Sequence, residues 1–118
     1  MEFFMKPKLK AFSGSKTTTI NTYVTVPDAI TGTEYWYCRG FKSKYFVLKC
    51  TLNNLLYSLD VSPDGALWFN IKTDQLILKD ATAKETHTEI WPYYRVQVKP
   101  NVNDVHGKLE VAGEMSSL

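Results

Sequence analysis

The residues that carry most enzyme chemistry are scarce in this chain. There are two histidines, His87 and His106, and two cysteines, Cys38 and Cys50. Neither histidine stands two or four positions from a second histidine or a cysteine, so a zinc site has little support. The cysteines are twelve positions apart, each in an apolar strand pattern, and read as buried thiols. No G-x-S-x-G elbow, P-loop or G-x-G-x-x-G turn is present. Asp60-Val61-Ser62-Pro63-Asp64-Gly65 opens like a calcium loop, with oxygen ligands at positions one, three and five. Its twelfth position is Ile71, where calcium needs a bidentate glutamate, and Pro63 and Gly65 suit a tight turn better. The expectation is a chain without catalysis, metal or cofactor.

Aromatic residues are the strongest functional lead. The chain has seven Tyr, six Phe and three Trp. Tyr35, Trp36, Tyr37, Trp68, Trp91 and Tyr93, together with Tyr94, could form a ring-lined surface that stacks on sugars or bases. In Tyr35-Trp36-Tyr37 and Tyr93-Tyr94, adjacent rings on a strand point to opposite faces. Some of these rings must therefore leave the main core or enter a second one. Arg39, Lys42 and Lys44 lie among Tyr37, Phe41 and Tyr45, a composition that also suits single-stranded nucleic acid on an OB-type barrel.

The elements that would position these groups are strands. Ile20, Thr22, Val24 and Val26 alternate with polar residues. Phe46, Leu48, Cys50 and Leu52 share a face, as do Leu55, Tyr57, Leu59 and Val61, and again Tyr94, Val96 and Val98, with Arg95, Gln97 and Lys99 opposite. Asn53-Asn54 and Ser62-Pro63-Asp64-Gly65 punctuate the runs as turns. Glu34 to Arg39, Leu67 to Ile71, Leu76 to Lys79 and Lys108 to Ala112 add shorter strands. Residues 80–89 are polar, and Ala81, Ala83 and Lys84 suit a helical turn. About eight short strands result, the pattern of an all-β antiparallel sandwich, Ig-like or jelly-roll-like, over residues 17–118.

Residues 1–16 read differently. Phe3, Phe4, Met5, Leu9 and Phe12 are interspersed with Lys6, Lys8, Lys10 and Lys16, and Ser13-Gly14-Ser15 makes a flexible joint. This segment is expected to be an arm whose rings and lysines, Phe3 to Lys6, Lys8 to Lys10 and Phe12, engage a partner. Residues 1–59 hold eight basic and three acidic residues, and residues 60–118 hold six and nine. Halves of opposite sign favour packing against copies of the same chain. The apolar run before Lys6-Pro7 is too short for a signal peptide, and no stretch approaches the roughly 20 apolar residues of a membrane span.

The cadence Ser62-Pro63-Asp64-Gly65 with Trp68, then Tyr94-Arg95-Val96-Gln97-Val98, then Gly107-Lys108-Leu109-Glu110-Val111, resembles small β-sandwich domains of phage and prophage structural proteins, such as capsid decoration and head- or tail-associated modules. The resemblance covers about half of the chain and brings no catalytic residues. It implies a virion component, in a particle or the host cytoplasm, that binds itself and a capsid-type lattice protein through the arm and the sheets. The alternatives are a carbohydrate-binding module using exposed Trp and Tyr, and an OB-like single-strand nucleic-acid binder. An unrecognised small enzyme comes last.

Overall fold

Period-two alternation sets the architecture from the middle of the chain outward. In the computed structural model, which describes residues 7–102 and 105–118, nine strands follow one another. They are β1 (Leu9–Thr18), β2 (Val24–Thr25), β3 (Trp36–Tyr37), β4 (Ser43–Thr51), β5 (Leu55–Ser62), β6 (Phe69–Ile77), β7 (Thr82–His87), β8 (Tyr93–Pro100) and β9 (Gly107–Ser116). They form two antiparallel sheets. One has the order β1-β9-β4-β7. The other has the order β2-β8-β5-β6, with β3 also paired to β8. The expected all-β sandwich is borne out. Among the described residues no helix is long and apolar enough to cross a membrane.

The core lies between the sheets. Phe46, Leu48 and Cys50 of β4 and Leu109, Val111 and Met115 of β9 meet Leu55, Tyr57, Leu59 and Val61 of β5 and Tyr94, Val96 and Val98 of β8. All of these are buried, and removing their apolar surface from water drives the packing of the two sheets. Gly107 and Gly113 are required by this packing. A Cβ at Gly107 would sit 2.2 Å from Leu55 Cδ2, and one at Gly113 would sit 2.3 Å from the Tyr45 carbonyl oxygen.

Several local expectations are corrected. The segment read as an arm is, from Leu9 onward, strand β1, paired with β9 from Leu9↔Ser116 to Thr18↔Gly107. The boundary placed after residue 16 therefore falls inside a strand. Ser13-Gly14-Ser15 is no flexible joint. Gly14 is buried where the chain crosses itself, and a Cβ there would stand 2.2 Å from the Pro27 carbonyl oxygen. Phe12 fills the chain's own core, its ring centroid 5.4 Å from Trp36 of one sheet and 5.7 Å from Phe46 of the other. The helical turn suggested for residues 81–84 is replaced by the start of β7, which pairs with β4. The two short strands expected between Leu67 and Lys79 are one bulged strand, β6. Leu52 leaves the inward row because its φ of 78° turns the chain out after β4.

This placement makes residues 9–16 part of the folded unit. Deleting residues 1–16 removes most of β1 and the Phe12 ring, and Phe12→Ala alone is expected to cost about 3–5 kcal/mol. Thermal unfolding followed by circular dichroism should show the deletion variant without a cooperative transition. A deletion variant that melts near the full chain's temperature would contradict this assignment of β1.

Candidate functional site

Alternation along β8 turns Tyr94, Val96 and Val98 inward and leaves Tyr93, Arg95, Gln97 and Lys99 on the outer face of the five-stranded sheet. The register then decides which side chains join them. Tyr37 of β3 lies opposite Tyr93, and Ser62, Asp60 and Ser58 of β5 lie opposite Tyr93, Arg95 and Gln97. Thr25 of β2 lies opposite Gln97 on the other side. The result is a strip running the length of β8, about 20 Å at the usual strand rise.

Rings stand at one end of the strip. Tyr93 packs edge-on against Tyr35 at 5.1 Å between centroids and at a tilt against Tyr37 at 5.3 Å. The turn that carries Gly65 sits against the Tyr93 ring. Its Asp64 accepts backbone N–H groups from Ala66 and Leu67 and a hydrogen bond from Ser62, and the Leu67 and Ala66 amides hold its carboxyl below the usual range. Asp64 is therefore a turn residue. Asp60, the first residue of the calcium-like sequence, is committed elsewhere.

Asp60 anchors the middle of the strip. Its Oδ2 accepts Arg95 Nε–H at 2.7 Å and its Oδ1 accepts Asn70 Nδ2–H at 2.9 Å. The Arg95 guanidinium lies 4.4 Å from the Trp68 ring centroid, so one face of the cation rests on the indole. Further along, Gln97 donates to Thr25 Oγ1 at 3.3 Å. At the far end Lys99 Nζ stands over the Tyr23 ring at 4.6 Å and 4.0 Å from Asp74, while Tyr23 donates its hydroxyl proton to Asp74. Burial, then the bond to Asp74, raises the Tyr23 pKa. Rings at both ends thus flank planar and charged hydrogen-bonding groups.

The structure gathers only some of the residues singled out in the sequence. Tyr35, Tyr37, Tyr93 and Trp68 come together on this face. Trp36 is buried in the core. Trp91 is half-buried at the sandwich edge, 6.1 Å from Phe69, with its Nε1–H donated to Glu89. Of the arm residues, Phe3, Phe4, Met5 and Lys6 lie outside the described residues. Lys8 and Leu9 are exposed beside the C-terminal end of β9, and Lys10 donates to the Tyr37 carbonyl at 3.4 Å. The basic cluster loses Lys44, which shares the inward face of β4 with Phe46. Its Nζ stands 4.8 Å from the Tyr94 centroid and donates to the Glu89 carbonyl, and burial lowers its pKa. Sequence reasoning missed Tyr23, Asp60 and Asn70 as members of the face. The outward parity of Arg95 was the available signal.

A second polar cluster closes the lateral seam between β6 and β7. Buried Glu85 accepts hydrogen bonds from Tyr57 Oη at 2.9 Å, Lys72 Nζ at 2.8 Å and His87 Nε2 at 3.0 Å. Burial works to raise the Glu85 pKa, and the bonds from Lys72, Tyr57 and His87 outweigh it and hold the carboxyl below its usual value. Cys38 and Cys50 are both buried and unpaired, and burial pushes the Cys38 thiol up to about 12. Such a thiol is protonated at neutral pH and inert as a nucleophile.

No family model matches the chain, and no curated protein matches it either. Its fold is similar to solved structures. The crystal structure of PirA aligns over 86% of this chain and 92% of that one, with a TM-score of 0.57 and 14% identity. A Bacillus endospore appendage protein, of a family that forms disulfide-linked pili, aligns over 95% and 89%, with a TM-score of 0.50 and 7% identity. A family 29 carbohydrate-binding module aligns over 96% and 87%, with a TM-score of 0.47 and 10% identity. At these identities the first two establish a shared small β fold and nothing narrower.

Two outcomes test the buried charges. Lys44→Met is expected to leave the protein at least as stable, because a well-packed apolar chain replaces a desolvated ammonium. A clear fall in the chemical-denaturation midpoint would show that Lys44 contributes more than it costs. The lowered Glu85 pKa stabilises the fold above the unfolded value near 4.5, and that contribution is lost as pH falls through the lower folded value. Glu85→Gln should therefore be less stable than wild type at pH 7, with the gap narrowing below about pH 4.5. A gap that is constant with pH would remove the ionised carboxylate as its source.

Proposed function

We propose that this chain is a non-catalytic carbohydrate-binding module whose ligand lies along the outer face of the five-stranded sheet. One observation carries the reading: Tyr35, Tyr37, Tyr93 and Trp68 share a face with Asp60, Asn70, Arg95 and Gln97. A sugar ring has C–H faces that stack on aromatics and hydroxyls at its rim that pair with carboxylate, amide and guanidinium groups. The centre of a protein–protein patch is by contrast depleted of charge, and here an ion pair occupies the centre. A nucleic-acid strand would call for unpaired cations along the rings, whereas Arg95 and Lys99 are already matched to Asp60 and Asp74.

The assembly reading, as a component of a virion or another lattice, is second. It is favoured by the outer face of the four-stranded sheet. Ala112 and Val47, opposite one another, line a shallow groove of about 220 Å³ there together with Lys49 and Glu110. A face of this kind can pack against a second sheet.

Affinity electrophoresis through gels containing soluble polysaccharides tests the first reading. At least one polysaccharide should retard the wild-type protein. Tyr37→Ala with Tyr93→Ala should lose most of that retardation at an unchanged melting temperature. Migration indifferent to every polysaccharide, with a molar mass above that of one chain in solution, would favour assembly instead.

A further inference from the structure

The middle of this face holds an arginine whose hydrogen-bonding capacity is only partly spent. Arg95 is fixed from two directions. Trp68 covers one face of its guanidinium, and Asp60 takes the Nε–H edge at 2.7 Å. Asp60 is itself held by Asn70, which also donates to the carbonyls of Leu59 and Lys72. The side chain of Arg95 is only 25% exposed. Yet among the described residues neither Nη group donates a hydrogen bond. Four N–H donors in one plane are thus aimed from a side chain that packing and hydrogen bonding have already immobilised. The entropy normally lost in ordering an arginine on binding has been given up on folding.

A pair of Nη groups in one plane matches an acceptor with two coplanar oxygens. A hydroxyl group uses one such donor; a carboxylate uses two at once. Asp60 takes only the Nε–H, through one oxygen, and so leaves the Nη pair free for a second carboxylate. The other cation of the strip, Lys99, is engaged with Asp74 and Tyr23. Lys99 also has open donors, but its ammonium is a point charge without the planar fork that Arg95 presents. Tyr93, two residues earlier on the same face, supplies a ring beside it for the body of a sugar.

Resting on the carbohydrate reading above, we infer that Arg95 is a subsite for the carboxylate of an acidic sugar, a uronic or sialic residue. The carboxylate pairs with the Nη groups and the pyranose ring lies toward Tyr93. Because Asp60 already balances the charge of Arg95, recognition depends on paired hydrogen bonds more than on net charge. Binding should therefore weaken only modestly between low and physiological salt.

The test uses matched pairs of oligosaccharides, each acid compared with its carboxyl-reduced neutral form. Oligogalacturonate, oligoguluronate, glucuronoxylan fragments and sialyllactose serve as the acids, titrated calorimetrically into the full chain. At least one acid should bind about tenfold or more tighter than its neutral partner, the effect expected of hydrogen bonds to a charged group. Arg95→Gln should abolish that preference, weakening the acid about tenfold or more and the neutral form, which loses at most one hydroxyl contact, far less. Arg95→Lys, which keeps the charge and the pairing to Asp60, should lose most of the preference because an ammonium lacks the planar fork. Should Arg95→Gln prove unstable with Asp60 left unpaired, Arg95→Gln combined with Asp60→Asn takes its place. Neutral and acidic forms binding equally well would overturn the carboxylate subsite and leave the carbohydrate reading intact. Failure of every saccharide to bind would overturn both.

Discussion

The structure depends on the alternation of side chains along β8. This strand pairs with β2, β3 and β5, so its parity fixes the facing of nearly every residue in its sheet. Tyr94, Val96 and Val98 face the second sheet, which commits Trp36 and Leu59 inward with them and sends Tyr37 and Asp60 outward. A slip of one residue would put Arg95 and Lys99 into the core and Tyr94 into water. The ion pair on one side and the apolar contact on the other thus specify the same register, and neither could move alone.

Two polar constructions meet different solvation demands. The outer strip uses partial burial, so that Trp68 and Asp60 immobilise Arg95 without removing it from water. The seam at Glu85 is drier, and its carboxylate stays ionised because three donors converge on it. Removing any one donor leaves the others in place but shifts the balance against desolvation, which is why buried polar groups act as a set. Lys44 stands apart. It has one carbonyl and one ring for company, and the depressed pKa records how incompletely these replace water.

Much of the fold was legible because β4, β5 and β8 each place three or more large apolar side chains on one face. The strands that were misread lack that signature. The inward row of β1 is Lys10, Phe12, Gly14, Lys16 and Thr18, with one large apolar group among five, so the segment resembles a linker until β9 is beside it. The inward row of β7 is Ala83, Glu85 and His87, whose role depends on Tyr57 and Lys72 from the opposite sheet. The aromatic face was half legible. The alternation required some rings to leave the core, but Trp36 and Tyr37 could each have been the inward one. Asp60 and Arg95 are 35 positions apart, and only the β5–β8 register joins them.

The pairing across the seam has a further consequence for how copies of this chain meet. A strand at the rim of a sheet is a template for another strand, and each rim here carries a feature that hinders one. Glu85 turns a charge inward on β7, β6 is bulged, and β2 and β3 are two residues long. Along β1 the Ala29 N–H already occupies the Ser13 carbonyl, where the chain crosses at Gly14. Edge-to-edge pairing of strands between copies, the step that extends a fibril, is therefore the contact this molecule resists, and its broad faces are what remain for recognition.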